Sequence, residues 1–113
     1  KKKFNSIFVN TLKVINAYCH LLTNQEFATI HSDAQTPLSV WDHTITAKSW
    51  QNLTDIKHDF NSLGYVGNHR YVFDIKGNSY RLIALISFNA QKVYIRFIGT
   101  HAAYDRIKDI KTI

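Results

Sequence analysis

One cysteine, one proline and four glycines occur among the 113 residues, and each shortage removes a class of explanation. Cys19 has no partner for an intramolecular disulfide and no companions for a thiolate metal cluster, which suits a reducing compartment. Beside Ala17 and Tyr18 in a stretch rich in β-formers, it reads as a packing residue rather than a nucleophile. The single proline, with no repeat or low-complexity run, argues against a linker and a second domain. No apolar run approaches the ~20 residues that span a bilayer, and Lys1 to Leu12 lacks the unbroken apolar core of a secretory signal. A cytoplasmic protein is expected, with no membrane contact. Gly64 and Gly67 lack the strand-to-helix setting of a phosphate-binding loop. His20, His31, His43, His58 and His69 are scattered without an i, i+4 ligand pair, so no metal and no cofactor is expected.

What is present is a hydrophobic content of 45%, enough for one compact core, so residues 1–113 are expected to form a single domain. Residues 1–12 read as an N-terminal extension, and no function is assigned to Lys1-Lys2-Lys3. Lysine and arginine number 14 against 8 acids, a formal net charge of +6. Such a field draws a polyanion or an acidic protein and does not by itself name a nucleic acid.

Leu12 to Leu22, with Val14, Ile15 and Tyr18, predicts a first strand. Thr23 and Glu26 have the spacing of a capping box, which predicts a helix reaching about His31. Thr36-Pro37 repeats the signal, Thr36 as cap and Pro37 at the first helical position, where its missing N–H costs nothing. Leu38, Trp41, Ile45 and Lys48 then follow a helical stripe, and Trp41 and Trp50 read as core anchors. A third short helix is expected from about Leu53 to Phe60.

From His69 the period changes to two, which predicts a three-stranded antiparallel meander with turns at Gly77-Asn78 and Asn89-Ala90. Two-residue loops pair Lys76 with Ser79 and Phe88 with Gln91, and so assign the faces. One face carries Tyr71, Phe73, Ile75, Tyr80, Leu82, Ala84, Ile86, Phe88, Val93, Ile95 and Phe97, and the preceding helices must cover it. The other carries Arg70, Asp74, Arg81 and Arg96 among Val72, Ile83, Leu85 and Tyr94. On it Asp74 is opposite Arg81 and Arg96 is one diagonal step away. A one-residue slip in the second loop would move Arg96 across the sheet.

Arg81 and Arg96 are therefore expected within reach of one phosphate, which a guanidinium holds in bidentate fashion. The bland alternative is an Arg81–Asp74 pair that only stabilises the sheet. His101 follows the last strand, in the first turn of a terminal helix that Thr100 can cap, and Tyr104 lies three residues on, on the same helical face. Cutting RNA without a metal needs a base for the ribose 2′-OH, an acid for the departing oxygen and cations for the charge on phosphate. Histidine, tyrosine and arginine supply all three.

Several segments together resemble the HigB family of RelE-like toxins from bacterial type II toxin–antitoxin systems. They are His31-Ser32-Asp33-Ala34, Pro37-Leu38 through Trp41, Trp50, Asp55-Ile56-Lys57, Val66-Gly67-Asn68 and Val72-Phe73-Asp74-Ile75. Gly77-Asn78-Ser79-Tyr80-Arg81-Leu82 and Val93-Tyr94-Ile95-Arg96-Phe97-Ile98-Gly99-Thr100-His101 with Tyr104-Asp105 complete the set, which spans roughly residues 22 to 107. The glycine-asparagine hairpin, the two strand arginines and the T-H-x-x-Y-D ending are specific in combination. The resemblance implies a small α+β fold of the RelE/ParE kind, with N-terminal helices on one face of an antiparallel sheet and a short C-terminal helix. It implies an endoribonuclease, an mRNA interferase that cleaves mRNA on the translating ribosome and is silenced by a HigA-like helix-turn-helix antitoxin. It also implies roles: Arg81 and Arg96 on the scissile phosphate, His101 and Tyr104 in proton transfer, and Lys57 as a further cation. Arg70, on the same sheet face as the two arginines, is expected to bind RNA phosphate as well. The same fold family includes ParE-like toxins that bind DNA gyrase, and an inactive RNA-binding domain is a third alternative. The His/Tyr pair beside strand arginines separates the first reading from both.

Overall fold

A computed structural model describes residues 24–47, 50–60 and 62–113. The expected strand Leu12 to Leu22, Cys19, His20, the Thr23 half of the capping box and Lys48 lie outside the described residues. Three helices come first: α1 (Asn24–Ile30), then α2 (Gln35–Ala47) entered through a 3₁₀ turn at Ser32–Ala34, then α3 (Leu53–Asp59). Four strands follow, β1 (Leu63–Gly67), β2 (Arg70–Ile75), β3 (Tyr80–Ser87) and β4 (Lys92–Thr100), and a short α4 (His101–Asp105) ends the set. This is the expected α+β order.

The helices begin where their caps allow. In α3 the Asn52 side chain accepts from the Asp55 N–H at 3.1 Å, and the Asp55 carboxylate accepts from the Gln51 N–H at 2.9 Å. These bonds satisfy donors that the first turn would leave bare. Helix α2 starts two residues before the expected Pro37, so Thr36 lies inside it and is not its cap. The reason is the 3₁₀ turn, which delivers Gln35 already in helical conformation (φ −59°, ψ −54°). Pro37 still falls in the first turn, where its lack of an N–H loses no bond. The stripe Leu38, Trp41, Ile45 is buried as expected.

The sheet is a meander of order β1-β2-β3-β4, one strand more than expected. Strand β1 escaped the pattern because Gly64 and Gly67 dilute its β-propensity. Gly67 has φ +101° and closes a bulge, a conformation that L side chains rarely adopt. The β2–β3 hairpin has the expected register, with Asp74 opposite Arg81. The β3–β4 hairpin begins as expected, with Ser87 opposite Lys92 and Ala84 opposite Ile95, and then shifts by one. Beyond the shift Ile83 faces Phe97, Leu82 faces Ile98 and Arg81 faces Gly99. Arg96 is thus the extra residue of a β-bulge, two residues of β4 being spent against one of β3. Phe97 consequently leaves the core face and Ile98 takes its place in the core, which corrects the expected face of that pair.

The helical layer buries the face of Tyr71, Phe73, Leu82 and Ala84, with Trp41 and Phe60 edge-on to Phe73 at 5.5 and 4.9 Å. Trp50 is anchored there by an indole N–H to Asp59 bond of 3.0 Å. On the opposite face Val72 and Ile83 are also buried, outside the main core. The segment after α4 crosses that face: Asn68 Nδ2 donates to the Lys111 carbonyl at 2.9 Å and Arg70 Nη2 to the Ile113 oxygen at 3.0 Å. Ile107, Ile110 and Ile113 are half-buried along it at three-residue spacing, while Lys108, Asp109, Lys111 and Thr112 are exposed. The Arg70 end of the face expected to be open is therefore covered.

Candidate active site

The β2–β3 turn builds the site. Lys76 and Gly77 take positive φ (54° and 61°), and the Ser79 N–H closes the turn on the Lys76 carbonyl at 3.1 Å. This folds Asn78 back over β3, where its side-chain oxygen accepts from Arg81 Nη2 at 2.7 Å. Arg81 Nε lies 2.7 Å from Asp74 Oδ1 across the strand pair, and the guanidinium carbon sits 4.9 Å from the centre of the Tyr104 ring. Arg81 is therefore held on three sides by a carboxylate, an amide and an aromatic face. The Nε–Asp74 contact is an ion pair without hydrogen-bond alignment, and Nη1 makes no hydrogen bond among the described residues. The Arg81–Asp74 pair is real, and it fixes the guanidinium without using all of its donors.

Helix α4 supplies the other groups. Thr100 caps it as expected, accepting from the Ala103 N–H at 3.1 Å. The His101 N–H donates to the Ser79 carbonyl at 3.2 Å, so the turn that aims Arg81 also pins the start of α4. The His101 and Tyr104 rings meet edge to face, with centroids 6.5 Å apart, and both are half-buried. His101 Nδ1 lies 3.0 Å from Asp105 Oδ2. The turn itself is tied to the helical layer: Asp33 accepts from the Tyr80 hydroxyl at 2.5 Å and from Lys76 Nζ at 2.9 Å. These donors hold the Asp33 carboxyl below the usual carboxylate range, and the bond to Asp33 raises the Tyr80 phenol above its ordinary value.

Of the six residues expected at the site, the structure brings Arg81, His101 and Tyr104 together. Arg96 is three residues before Gly99, the residue facing Arg81, and its guanidinium carbon is 5.8 Å from the Tyr94 ring centre. The bulge places it one residue farther from Arg81 than the regular register would. Arg70 lies towards the other end of the same face and spends Nη1 and Nη2 on the Asn68 and Ile113 oxygens. Lys57 is exposed on α3, whose Ile56 is buried in the helical layer, and so belongs to the other side of the sheet. Two contributors, Asn78 and Asp105, stood in the motifs read from the sequence but were given no role at the site. The i, i+4 spacing of His101 and Asp105 on a helix was the available signal for the second.

The cluster lies on open surface, away from the cleft lined by Asn24, Gln35 and Asp42 and from the groove lined by His69, Leu85 and Asn89. A fixed guanidinium, an imidazole and a phenol on an open basic surface can bind a phosphodiester of a polymer and move protons beside it. Among the described residues no three His, Cys, Asp or Glu side chains converge to hold a metal, and no helix is long and apolar enough to cross a membrane.

Residues 34–107 match a family model described as HigB toxin, the RelE-like toxic component of a toxin–antitoxin system. The mRNA interferase toxin HigB of Escherichia coli strain K12 is 34% identical over 92 residues, covering 76% of this chain and 88% of that protein. The mRNA interferase HigB of Shigella flexneri matches with the same identity and coverage. An mRNA interferase HigB of Escherichia coli O6:H1 is 40% identical over 40 residues, which cover 35% of this chain and 39% of that protein.

Proposed function

The chain belongs to the HigB family of RelE-like toxins, and from that premise we propose that it cleaves mRNA as an endoribonuclease through Arg81, Arg96, His101 and Tyr104. It is the toxic component of a toxin–antitoxin system, so its partners are an antitoxin and mRNA. In our reading the antitoxin is a HigA-like helix-turn-helix protein, the mRNA is met on the translating ribosome, and both encounters occur in the cytoplasm.

The cleavage needs no group beyond the chain's own side chains. One of His101 and Tyr104 takes the proton of the ribose 2′-OH as O2′ bonds to phosphorus. The P–O5′ bond breaks, and the other residue gives a proton to O5′. The products are a cyclic phosphate and a free 5′-OH. Negative charge grows on the non-bridging oxygens in between, and guanidinium groups already fixed in place stabilise it without reorganising. Arg81 is such a group, and Arg96 is the second cation on that face. Lys57, on the other side of the sheet, and Arg70, engaged with the Asn68 and Ile113 oxygens, add to the basic field that draws RNA and stay away from the scissile bond.

The observation that carries this reading is the placement of Tyr104 against Arg81 at 4.9 Å with His101 beside Tyr104, three side chains of one surface patch on two elements. Inducing the chain in bacteria and mapping the 5′ ends of mRNA tests it. New 5′-OH ends inside coding regions, absent with His101→Ala, are expected. Growth arrest with intact mRNA would sink the reading.

A further inference from the structure

We propose that Asp105 is a positioning residue that keeps the Nδ1 proton of His101 in place and so makes Nε2 the atom that exchanges a proton with RNA. The inference rests on the reading of His101 as a proton-transfer residue and adds which of its two nitrogens acts.

The geometry begins in the backbone. Thr100 caps α4 and the His101 N–H is bonded to Ser79, so the Cα–Cβ direction of His101 is set from two sides. Asp105 is one helical turn on, which brings its Oδ2 to 3.0 Å from Nδ1. An ionised carboxylate can only accept, so a neutral imidazole in this contact carries its proton on Nδ1. Its Nε2 then presents a lone pair on the opposite edge of the ring. That nitrogen can take the 2′-OH proton, or once protonated it can give a proton to O5′, and the contact serves either role.

Asp105 has no other evident task. Its side chain is 59% exposed, and among the described residues its hydrogen-bond partner is His101. It also sits at the last residue of α4, where the carbonyl end of a helix disfavours an anion. A carboxylate placed against that field makes sense through what it does for His101. The exposure sets the size of the effect: water competes for Nδ1, so removing the carboxylate leaves a histidine that samples both tautomers, not one locked in the wrong form.

Nitrogen-15 NMR of the histidine-labelled protein, with His101 assigned by the signal lost in His101→Ala, reads the tautomer directly. With the ring neutral the parent should show the Nδ1–H form, and Asp105→Ala should move towards the Nε2–H form that a free histidine side chain favours. In an RNA-cleavage assay Asp105→Ala and Asp105→Asn should lose about ten- to a hundredfold in kcat with KM unchanged. Asp105→Glu should recover much of that loss. Thermal unfolding should hardly move in any of them, because an exposed pair contributes little. An Nε2–H tautomer in the parent, or full kcat in Asp105→Ala when His101→Ala is inactive, overturns the proposal. Full cleavage by His101→Ala overturns the catalytic reading of His101 and the positioning role with it, whatever the tautomer.

Discussion

The Tyr80 hydroxyl donates to Asp33, and this bond joins the 3₁₀ turn before α2 to the residue that precedes Arg81. The second oxygen of Asp33 holds Lys76, at the start of the turn that carries Asn78 and Ser79. One carboxylate from the helical layer therefore steadies the turn that aims Arg81 and pins His101, although it touches neither.

Acid sensitivity follows from its sign. The Asp33 carboxyl is depressed in the folded state by its bonds to Tyr80 and Lys76, so its contribution is complete above its unfolded value and fades as pH falls through the lower folded one. Between neutrality and the carboxylate range Asp33→Asn should be less stable than the parent, and the two should converge in strong acid. Denaturant melts across that range check it, and parallel curves at every pH would refute it.

Arg81 should matter for structure and activity unequally. Arg81→Lys keeps the charge but cannot reach Asp74, Asn78 and the Tyr104 face together. It should lose on the order of a hundredfold or more in cleavage, as when one preorganised charge-stabilising donor is removed. Stability should fall by only about 1–2 kcal/mol, the worth of a bond to a charged group whose charge the lysine retains. Urea melts beside single-turnover cleavage separate the two.

Thr100→Ala removes the oxygen that satisfies the Ala103 N–H. The loss should be about 1 kcal/mol, the usual value of a helix N-cap. Because α4 carries both His101 and Tyr104, cleavage should weaken as well, whereas Asn52→Ala, which uncaps α3, should lower stability and leave cleavage alone.

Ile83→Ala should cost about 2–4 kcal/mol, as for a core position, although it is on the sheet face away from the helices. Deleting residues 107–113 should release Arg70 from the Ile113 oxygen and Asn68 from the Lys111 carbonyl, and lower the melting temperature. An unchanged melting temperature in the deletion variant would contradict this.

The amino-acid pattern alone determined the helix faces of Leu38, Trp41 and Ile45, the hairpin register that sets Asp74 against Arg81, and the Thr100 cap. Each depends on neighbours a few residues apart, where periodicity and turn chemistry act. Strand β1 was hidden because two glycines broke its alternation. The bulge at Arg96 could not be read from β4 by itself, since a one-residue slip is invisible until the partner strand and the core behind it choose between Phe97 and Ile98. The bonds of Asn68 and Arg70 to the crossing segment, and of Asp33 to Lys76, span 43 residues each. Contacts so distant leave no periodic trace, and only the folded chain decides that Arg70 is engaged and that Arg81, His101 and Tyr104 share one patch.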